Sequence, residues 1–281
     1  MNSIEASLRK AVRAALAEDR AGDDVTTRLL GEAARRRAEA RFIAEEPMVA
    51  AGLPVLAATF QELDSSAAAE LAVREGQWVE PGALLGLVRA PAASLLGGER
   101  VALNFLQRLS GIATATRRIA DLIAGTGSQV THTRKTTPGL RDLELYAVSV
   151  GGGVPNRASL ADAVLWKDNH WSLLGNPAGL GAALASPGGV PVAVEVENEV
   201  QLAAALAAGV AHILVDNQSP ARLREWVSRV GPAVTIQASG GITEENARAY
   251  AEAGAHLLAI GAITHSVRAA GIRCDITLTA P

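Results

Sequence analysis

The sequence predicts an α/β protein whose second half is built on parallel strands. From residue 128 onward, short aliphatic runs alternate with helical stretches, and the last four runs recur about every 22 residues, which suits a strand plus a helix. These runs are apolar along their whole length, as strands buried on both faces are. The two observations favour successive βα units, and they fit both a barrel and an open sheet.

The second half contains six predicted strands with helices between the later ones. The strands are predicted at 129–133, 163–167, 191–196, 212–216, 233–238 and 256–261. The helices are predicted at 198–208, 219–229 and 243–253. The segment 172–189 is rich in Gly, Ala and Pro, and it is predicted to be either a mobile loop or a loosely packed helix.

The first half begins with a predicted amphipathic helix, because apolar side chains recur every four residues at Ile4, Leu8, Val12 and Leu16. Strands are predicted at 37–49, 68–74 and 83–89.

One long helix or two are predicted after the strands of the first half, from Glu99 through Gly125, with a predicted break at Ser110-Gly111. Residues 271–281 are predicted to form a last strand that returns to the first domain.

Composition excludes several classes of protein. The 281 residues are 49% hydrophobic but only 3% aromatic, so the core is predicted to be aliphatic. A net charge of −3 and a pI near 6.0 argue against a nucleic-acid surface. The single Cys274 excludes an internal disulfide and is typical of a reducing cytoplasm. No apolar run is long enough for a membrane span, so we expect a soluble, cytoplasmic protein.

The most informative stretch is Thr133–Arg141, which follows the first predicted strand of the second half. It carries three cations within nine residues, and Pro138-Gly139 turns the chain there. The protein has three lysines among its 26 basic residues, and two of them, Lys135 and Lys167, fall in such strand-end stretches. Where arginine is the default cation, a lysine indicates that a compact point charge is required.

Every predicted strand of the second half ends in a polar or glycine residue, and parallel α/β folds collect their functional residues at that end. The early strands supply the cations Arg134, Lys135, Arg141, Arg157 and Lys167. The middle strands supply the carboxylates Glu195 and Asp216. The late strands supply the turns Ser239-Gly240-Gly241 and Gly261 to His265.

This order of charges predicts a phosphorylated sugar substrate. Glycine at the start of a helix lets backbone N–H groups approach a phosphate, and in barrels the phosphate follows the last strands. A second anionic group would meet the cationic strands. The two carboxylates between them would bind sugar hydroxyls or a magnesium ion.

The same motifs resemble the quinolinate phosphoribosyltransferase family over nearly the whole chain. The resemblance rests on Thr133–Arg141, on Gly151–Gly153 with Arg157, on Lys167–His170, Glu195–Glu197, Val215–Asn217, Ser239–Gly241 and Gly261–Ser266, and on the helix Glu99–Thr114. It implies an incomplete α/β (TIM-like) barrel, residues 111–270, and an N-terminal α/β sandwich, residues 1–110, which the strand 271–281 joins. It also implies a reaction in which quinolinate and phosphoribosyl pyrophosphate give nicotinate mononucleotide, pyrophosphate and CO₂, with Mg²⁺ as cofactor.

The resemblance also implies a role for each site residue. The catalytic residues would be Lys135, Glu195 and Asp216. The base would be bound by Arg108, Arg134, Lys135, Asn156, Arg157 and Lys167. Phosphoribosyl pyrophosphate would be bound by Lys135, Lys167, Glu195, Asp216, Ser239, Gly240, Gly241, Gly261 and His265. Glu195 and Asp216 would hold the metal, through water, and Arg108 would reach across a homodimer from the neighbouring subunit.

Two residues depart from the family pattern. Asn156 stands where the family usually has a histidine before the arginine, and Gln237 stands where it usually has a glutamate before Ser-Gly-Gly. Asn156 can donate a hydrogen bond but cannot carry the charge of a histidine. The alternatives are therefore a related phosphoribosyltransferase acting on another pyridine or aromatic acid, and a non-catalytic, ligand-binding relative.

Overall fold

The structure is a computed structural model that describes residues 3–185 and 188–279. By their packing the residues divide into two units. The first unit consists of residues 1–117, 137–151 and 267–281, and the second consists of residues 118–136 and 152–266. The predicted domain boundaries, at 110/111 and 270/271, stay a prediction.

The helices and strands are numbered in chain order. The helices are α1 Ser3–Glu18, α2 Val25–Arg28, α3 Pro54–Leu63, α4 Ala92–Leu122, α5 Arg141–Val150, α6 Asp168–Leu174, α7 Leu180–Ala183, α8 Glu199–Ala207, α9 Pro220–Val227, α10 Ala247–Glu252 and α11 Ala262–His265. The strands are β1 Arg37–Ala44, β2 Met48–Val49, β3 Ala68–Leu71, β4 Trp78–Val79, β5 Leu84–Pro91, β6 Gln129–Thr131, β7 Val164–Trp166, β8 Val192–Val196, β9 His212–Asp216, β10 Thr235–Ser239, β11 Leu257–Ala259 and β12 Ile272–Leu278.

The first unit is built on a four-stranded antiparallel sheet in the order β12-β1-β5-β3. Strand β1 alternates strictly, with every second side chain buried, and Phe42 on that face packs on Phe60 of α3 with ring centroids 6.0 Å apart. The last strand, β12, pairs with β1 from Ala38↔Leu278 to Ala44↔Ile272. The final two residues of the predicted strand 271–281 lie outside the described residues.

The predicted N-terminal helix is confirmed, because α1 buries Leu8, Val12 and Leu16. Helix α5 belongs to the same unit, and α1 holds it through Ser7, whose hydroxyl donates to Asp142 over 2.6 Å. Contacts of this kind explain why residues 137–151 group with the first unit rather than with the strands that flank them in sequence.

The predicted break at Ser110-Gly111 was wrong, because α4 continues through it as one helix of 31 residues. A Cβ atom on Gly111 would lie 2.3 Å from the carbonyl oxygen of Arg268, so the glycine permits close approach of another chain segment. The Ser110 hydroxyl accepts from the N–H of Ala51 over 3.1 Å. The two residues that suggested a break are therefore packing residues.

The second unit is built on a six-stranded sheet in the order β6-β11-β10-β9-β8-β7, and all its ladders are parallel. On the free side of β6, Val154 forms a parallel bridge with Thr131. The strands thus follow one another around the sheet in chain order, as in a barrel. Within the described ranges no pairing joins Val154 to β7, so the barrel is incomplete, as the resemblance implies.

Segment 172–189 contains the end of α6, a 3₁₀ turn at Pro177–Gly179 and α7, while residues 186 and 187 of that segment lie outside the described residues. Among the helices described, none has the length and hydropathy needed to cross a bilayer.

Candidate active site

The carboxyl ends of the parallel strands carry the predicted site residues. Because the six strands run in one direction, these ends lie at the same end of the sheet. Lys167 follows β7, Glu195 lies near the end of β8, Asp216 and Ser239 end β9 and β10, and Gly261 follows β11.

Lys167 and Glu195 form an ion pair between neighbouring strand ends. The Nζ atom lies 2.8 Å from Oε2, and the glutamate side chain is only 7% exposed. Trp171, on the helix after Lys167, donates from Nε1 to the backbone carbonyl of Glu195 over 2.8 Å. His170 Nδ1 accepts from the backbone N–H of Lys167 over 3.0 Å. The pair is therefore held in place by the first turn of α6.

A further carboxylate, Glu197, lies within electrostatic range of Glu195, Asp216 and Asp168. Partial burial raises the pKa of Glu197, and the charges of Asp216, Glu195 and Asp168 raise it further. Glu197 was not among the predicted site residues, although it lies two residues after Glu195 on the same face of the chain. The structure thus adds one carboxylate to the two that the sequence indicated.

Asn217 connects Asp216 to the glycine turn after β10. It adopts a positive φ of 52°, which asparagine tolerates better than most residues. Its Nδ2 donates to Asp216 Oδ2 over 2.6 Å, and its backbone N–H donates to the carbonyl of Ser239 over 3.0 Å. A Cβ atom on Gly240 would lie 2.1 Å from Asn217 Oδ1, so only glycine fits there.

The turn after β10 exposes backbone donors, but it does not open a helix directly. Gly240 and Gly241 both have positive φ, 87° and 60°, and within the described residues their N–H groups donate to no protein acceptor. The predicted helix 243–253 begins only at Ala247, because Asn246 accepts from the Thr243 N–H and donates to the Gly241 carbonyl. Any phosphate here would therefore be bound by the turn itself.

Lys135, Gly261 and His265 meet at the end of β11. A Cβ atom on Gly261 would lie 3.0 Å both from Cδ of Lys135 and from Nε2 of His265, so the two side chains cover the bare glycine. The Thr264 hydroxyl donates to the carbonyl of Lys135 over 2.8 Å and fixes the backbone there. Residues predicted from two separate motifs are thus neighbours.

Asn156 and Arg157 lie beyond Val154, on the open side of the barrel. Both ends of the Asn156 amide bind backbone groups: Nδ2 donates to His132 O over 3.3 Å, and Oδ1 accepts from the Arg157 N–H over 2.8 Å. The Asn156 N–H donates to Nε2 of His132, whose pKa is lowered by burial. Asn156 therefore shapes its loop, and its role as a base ligand stays a prediction.

Arg157 lies within electrostatic range of the cation Arg134 and of the carboxylate Glu195. Burial and the positive charge of Arg134 lower its pKa, while Glu195 opposes that shift, so the three groups act on one another. Its Nη1 donates to the carbonyl of Ala163 over 3.3 Å.

Arg108 lies in the first unit and is bound to a carboxylate there. Its Nε and Nη2 donate to Glu144 Oε1 over 3.0 and 2.8 Å, and the Glu144 side chain is fully buried. Nη2 of Arg108 also donates to Thr137 Oγ1 over 3.3 Å. The predicted reach of Arg108 into a neighbouring subunit stays a prediction, and the ion pair opposes it.

Glu195 and Asp216 were predicted as metal ligands. Among residues 3–185 and 188–279 no three His, Cys, Asp or Glu side chains are arranged to enclose a metal ion. The role of Glu195 and Asp216 as metal ligands stays a prediction.

The fold and this site define an α/β enzyme that binds a phosphorylated, anionic small molecule. Residues 24–110 match the N-terminal domain of quinolinate phosphoribosyl transferase, and residues 112–276 match its C-terminal domain. The chain is therefore a member of the quinolinate phosphoribosyltransferase family, a family of pentosyltransferases.

Relatives from several bacteria resemble the chain over almost its full length. It is 37% identical to a probable nicotinate-nucleotide pyrophosphorylase (carboxylating) of Bacillus subtilis, over 99% of this chain and 96% of that protein. It is 39% identical to the Mycobacterium leprae nicotinate-nucleotide pyrophosphorylase (carboxylating), over 95% and 96%. The solved structure of the Francisella tularensis nicotinate-nucleotide pyrophosphorylase superposes with a TM-score of 0.90 at 31% identity, over 99% of this chain and 98% of that one.

Proposed function

We propose that this protein transfers the phosphoribosyl group of phosphoribosyl pyrophosphate to quinolinate, with loss of CO₂, to give nicotinate mononucleotide for NAD biosynthesis. The observation that carries the proposal is the convergence of Lys167, Glu195 and Asp216 with the 239–241 turn at one end of the parallel sheet. Family membership and the names of the relatives point to the same reaction.

The arrangement of charge suits departure of pyrophosphate. As the bond from C1′ to pyrophosphate lengthens, positive charge develops on the ribose ring and negative charge on the leaving group. Carboxylates of Asp216 and Glu197 stabilise the sugar, and the ammonium groups of Lys135 and Lys167 stabilise the leaving group. The free backbone donors of Gly240 and Gly241 bind the 5′-phosphate, which the reaction leaves unchanged.

Decarboxylation follows from the bond that the transfer creates. The ring nitrogen of quinolinate attacks C1′ as pyrophosphate leaves with the bonding electron pair, and the nitrogen becomes cationic. The adjacent carboxylate then leaves as CO₂, and the electron pair of the broken C–C bond remains on the ring carbon beside the cationic nitrogen. A proton from solvent or an acid completes nicotinate mononucleotide. Arg134 and Arg157 bind carboxylates of the base.

We also propose that Mg²⁺ accompanies phosphoribosyl pyrophosphate. The carboxylates of Glu197 and Asp216 fit this ion, because Mg²⁺ is usually held by one or two carboxylates plus substrate phosphates and water. Asp216 and Glu197 would hold it, since Glu195 is engaged by Lys167. The ion neutralises pyrophosphate charge when bound.

The assembly proposed is a homodimer or a larger homo-oligomer in the cytoplasm. A contribution of Arg108 to a partner's site requires it to leave Glu144, and breaking a buried pair costs about 3–5 kcal/mol.

Burial raises the pKa of the Cys274 thiol to about 12, so this cysteine is unreactive at neutral pH in any compartment.

One observation favours the alternative of a related transferase that acts on another acid. The side-chain amide of Asn156 already hydrogen-bonds to backbone groups of His132 and Arg157. With no charged group at that position, a base with fewer anionic groups than quinolinate is the alternative substrate.

Pyrophosphate release separates these functions. The protein is incubated with phosphoribosyl pyrophosphate, Mg²⁺ and quinolinate, nicotinate, or another pyridine or aromatic acid. Our proposal predicts release that depends on quinolinate. Release with another acid alone would support the related transferase, and binding of phosphoribosyl pyrophosphate without turnover of any acid would support a non-catalytic relative.

A further inference from the structure

A cavity of about 350 Å³ lies inside the second unit, on the amino-terminal side of the strand ends. This volume is within the range of small-molecule sites. Its apolar lining includes Leu165, Ala193 and Leu214 on three neighbouring strands. Its polar lining consists of Asn156, Arg157, Asp162, His212 and Gln237.

The cavity is lined from the first residues of β7, β8 and β9 (Val164, Val192 and His212) up to the layer two residues before the catalytic strand ends. Along a strand, residues two apart share a face and are separated by about 7 Å. Leu165, Ala193, Leu214 and Gln237 precede Lys167, Glu195, Asp216 and Ser239 by two residues each. Consider a ribose bound at the strand ends, with an attached aromatic ring that points into the barrel. That ring would contact the layer of Leu165, Ala193, Leu214 and Gln237, which lines this cavity.

Gln237 presents a free hydrogen-bond donor to that layer. Its side chain is 2% exposed, and its Oε1 lies 2.9 Å from Nε2 of His212. In the histidine tautomer that carries its proton on Nε2, His212 donates to Oε1 and leaves the amide N–H₂ as the donor for a ligand. Among the described residues Nε2 of Gln237 has no acceptor. Nε2 of Gln237 is not one of the sealed side-chain atoms of the described residues that lack a partner, so it reaches the cavity, where a water molecule or a ligand atom can accept its hydrogen bond.

The other polar groups of the cavity are already engaged or charged. Asp162 accepts from the N–H groups of Ala158 and Ser159 over 2.8 and 2.9 Å. The Asn156 amide binds its own loop. The cavity thus offers a ligand one cation, Arg157, and one oriented neutral donor, Gln237.

We propose that this cavity receives the base, and that Gln237, oriented by His212, is a specificity-determining residue that donates to a carboxylate oxygen of an aromatic acid. The inference rests on the proposed function and deepens it. Arg157 binds the charge of the acid from one side, and the amide selects an acceptor atom on the other. Acids that lack an acceptor at this position bind with the amide unsatisfied and are discriminated against.

The test compares kinetic constants of Gln237→Met with those of the wild type. Methionine keeps the length of the side chain but has no N–H donor. We expect the KM for quinolinate to rise about tenfold, while the KM for phosphoribosyl pyrophosphate changes less than about twofold. His212→Phe, which leaves the amide free to rotate, should raise the KM for quinolinate by a smaller factor. Gln61→Met, a matched change of an exposed glutamine on α3, should leave both constants unchanged.

An unchanged KM for quinolinate in Gln237→Met, with a lowered melting temperature, would overturn the inference and make the pair a core contact only. A wild-type protein inactive with quinolinate would count against the proposed function instead. Equilibrium binding of quinolinate and nicotinate to the wild type and to Gln237→Met then tests whether the acid binds in the cavity against Gln237. Weaker binding in the variant supports the inference, and equal binding contradicts it.

Discussion

Lys167 and Glu195 form a 2.8 Å ion pair between adjacent strand ends, in which the lysine is 42% exposed and the carboxylate only 7%. The lysine therefore presents its charge to a ligand while the glutamate holds it from below. Removing the ammonium in Lys167→Met leaves the carboxylate without its partner. We expect kcat/KM for both substrates to fall by at least about 100-fold.

Pyrophosphate release measures this loss, and circular dichroism checks folding. Lys10→Met is the matched control, because Lys10 is an exposed lysine on α1 and its removal should change nothing. Retention of more than about a tenth of wild-type activity in Lys167→Met would contradict the role assigned to the pair.

Gly261 leaves just enough space for Lys135 and His265. In Gly261→Ala the new methyl group would lie 3.0 Å from both side chains, while the φ of −73° places no strain on the backbone. The substitution should displace the lysine and lower activity about 10- to 100-fold with little change in melting temperature. Gly231→Ala, in open space, is the control.

Lys135→Ala itself should abolish turnover in a folded protein, and near-normal kinetics in this variant would contradict the catalytic role assigned to Lys135.

The two glycines after Ser239 should respond differently to alanine. Gly240→Ala would place its methyl group against Asn217 at a φ of 87°, so it should both destabilise the protein and abolish activity. Gly241→Ala faces open space at a φ of 60°, and it should cost only about 1 kcal/mol of stability. Chemical denaturation of both variants tests this order, and equal destabilisation would show that the turn is not built as described.

Arg108 gives a prediction about stability rather than chemistry. Arg108→Met leaves Glu144 buried and unpaired, so we expect a loss of about 3–5 kcal/mol in unfolding free energy. The double variant with Glu144→Leu should recover part of the lost unfolding free energy.

If Arg108 instead acts in a partner's site, mixing Arg108→Ala with a subunit disabled elsewhere restores activity. Failure to complement argues against sharing of Arg108 between subunits.

Acid should destabilise the protein through its buried histidines. Burial lowers the pKa of His132 and of His212 below 6.5, so the unfolded chain binds protons first as the pH falls. The stability these neutral histidines contribute is present above about pH 6.5 and is lost as the pH falls toward their folded pKa values. Urea unfolding at pH 7.5 and 5.5 should show the loss, and His212→Asn should reduce it. Identical pH dependence in that variant would contradict the interpretation.

Several features could be predicted from sequence because they depend on local pattern. Aliphatic runs located the parallel strands within a few residues, and the spacing of Lys135, Lys167 and Asp216 relative to those strands placed them at one end of the sheet. The break at Gly111 could not be judged, because its cause is the Arg268 carbonyl, far away in sequence. The pairing of His212 with Gln237 depends on strand register, and one residue of shift would reverse both side chains.

Other features depend on contacts that no local signal reports. The start of α10 is delayed by a single asparagine side chain, Asn246, which closes the turn after Gly241. The sequence around Glu197 gives no sign of a separate role for this residue. Its place in the site follows only from its electrostatic interaction with Asp216 and Asp168. Asn217 belongs to a motif found in the sequence, but its positive φ is a backbone property that sequence does not give.

The measurement that tests the central claim most directly follows label from quinolinate carrying ¹³C in the carboxyl group beside the ring nitrogen. With phosphoribosyl pyrophosphate and Mg²⁺, labelled CO₂ and pyrophosphate should appear in equal amounts, together with unlabelled nicotinate mononucleotide, and Lys167→Met should suppress all three. Pyrophosphate release without labelled CO₂, or no product from quinolinate at all, would contradict the account.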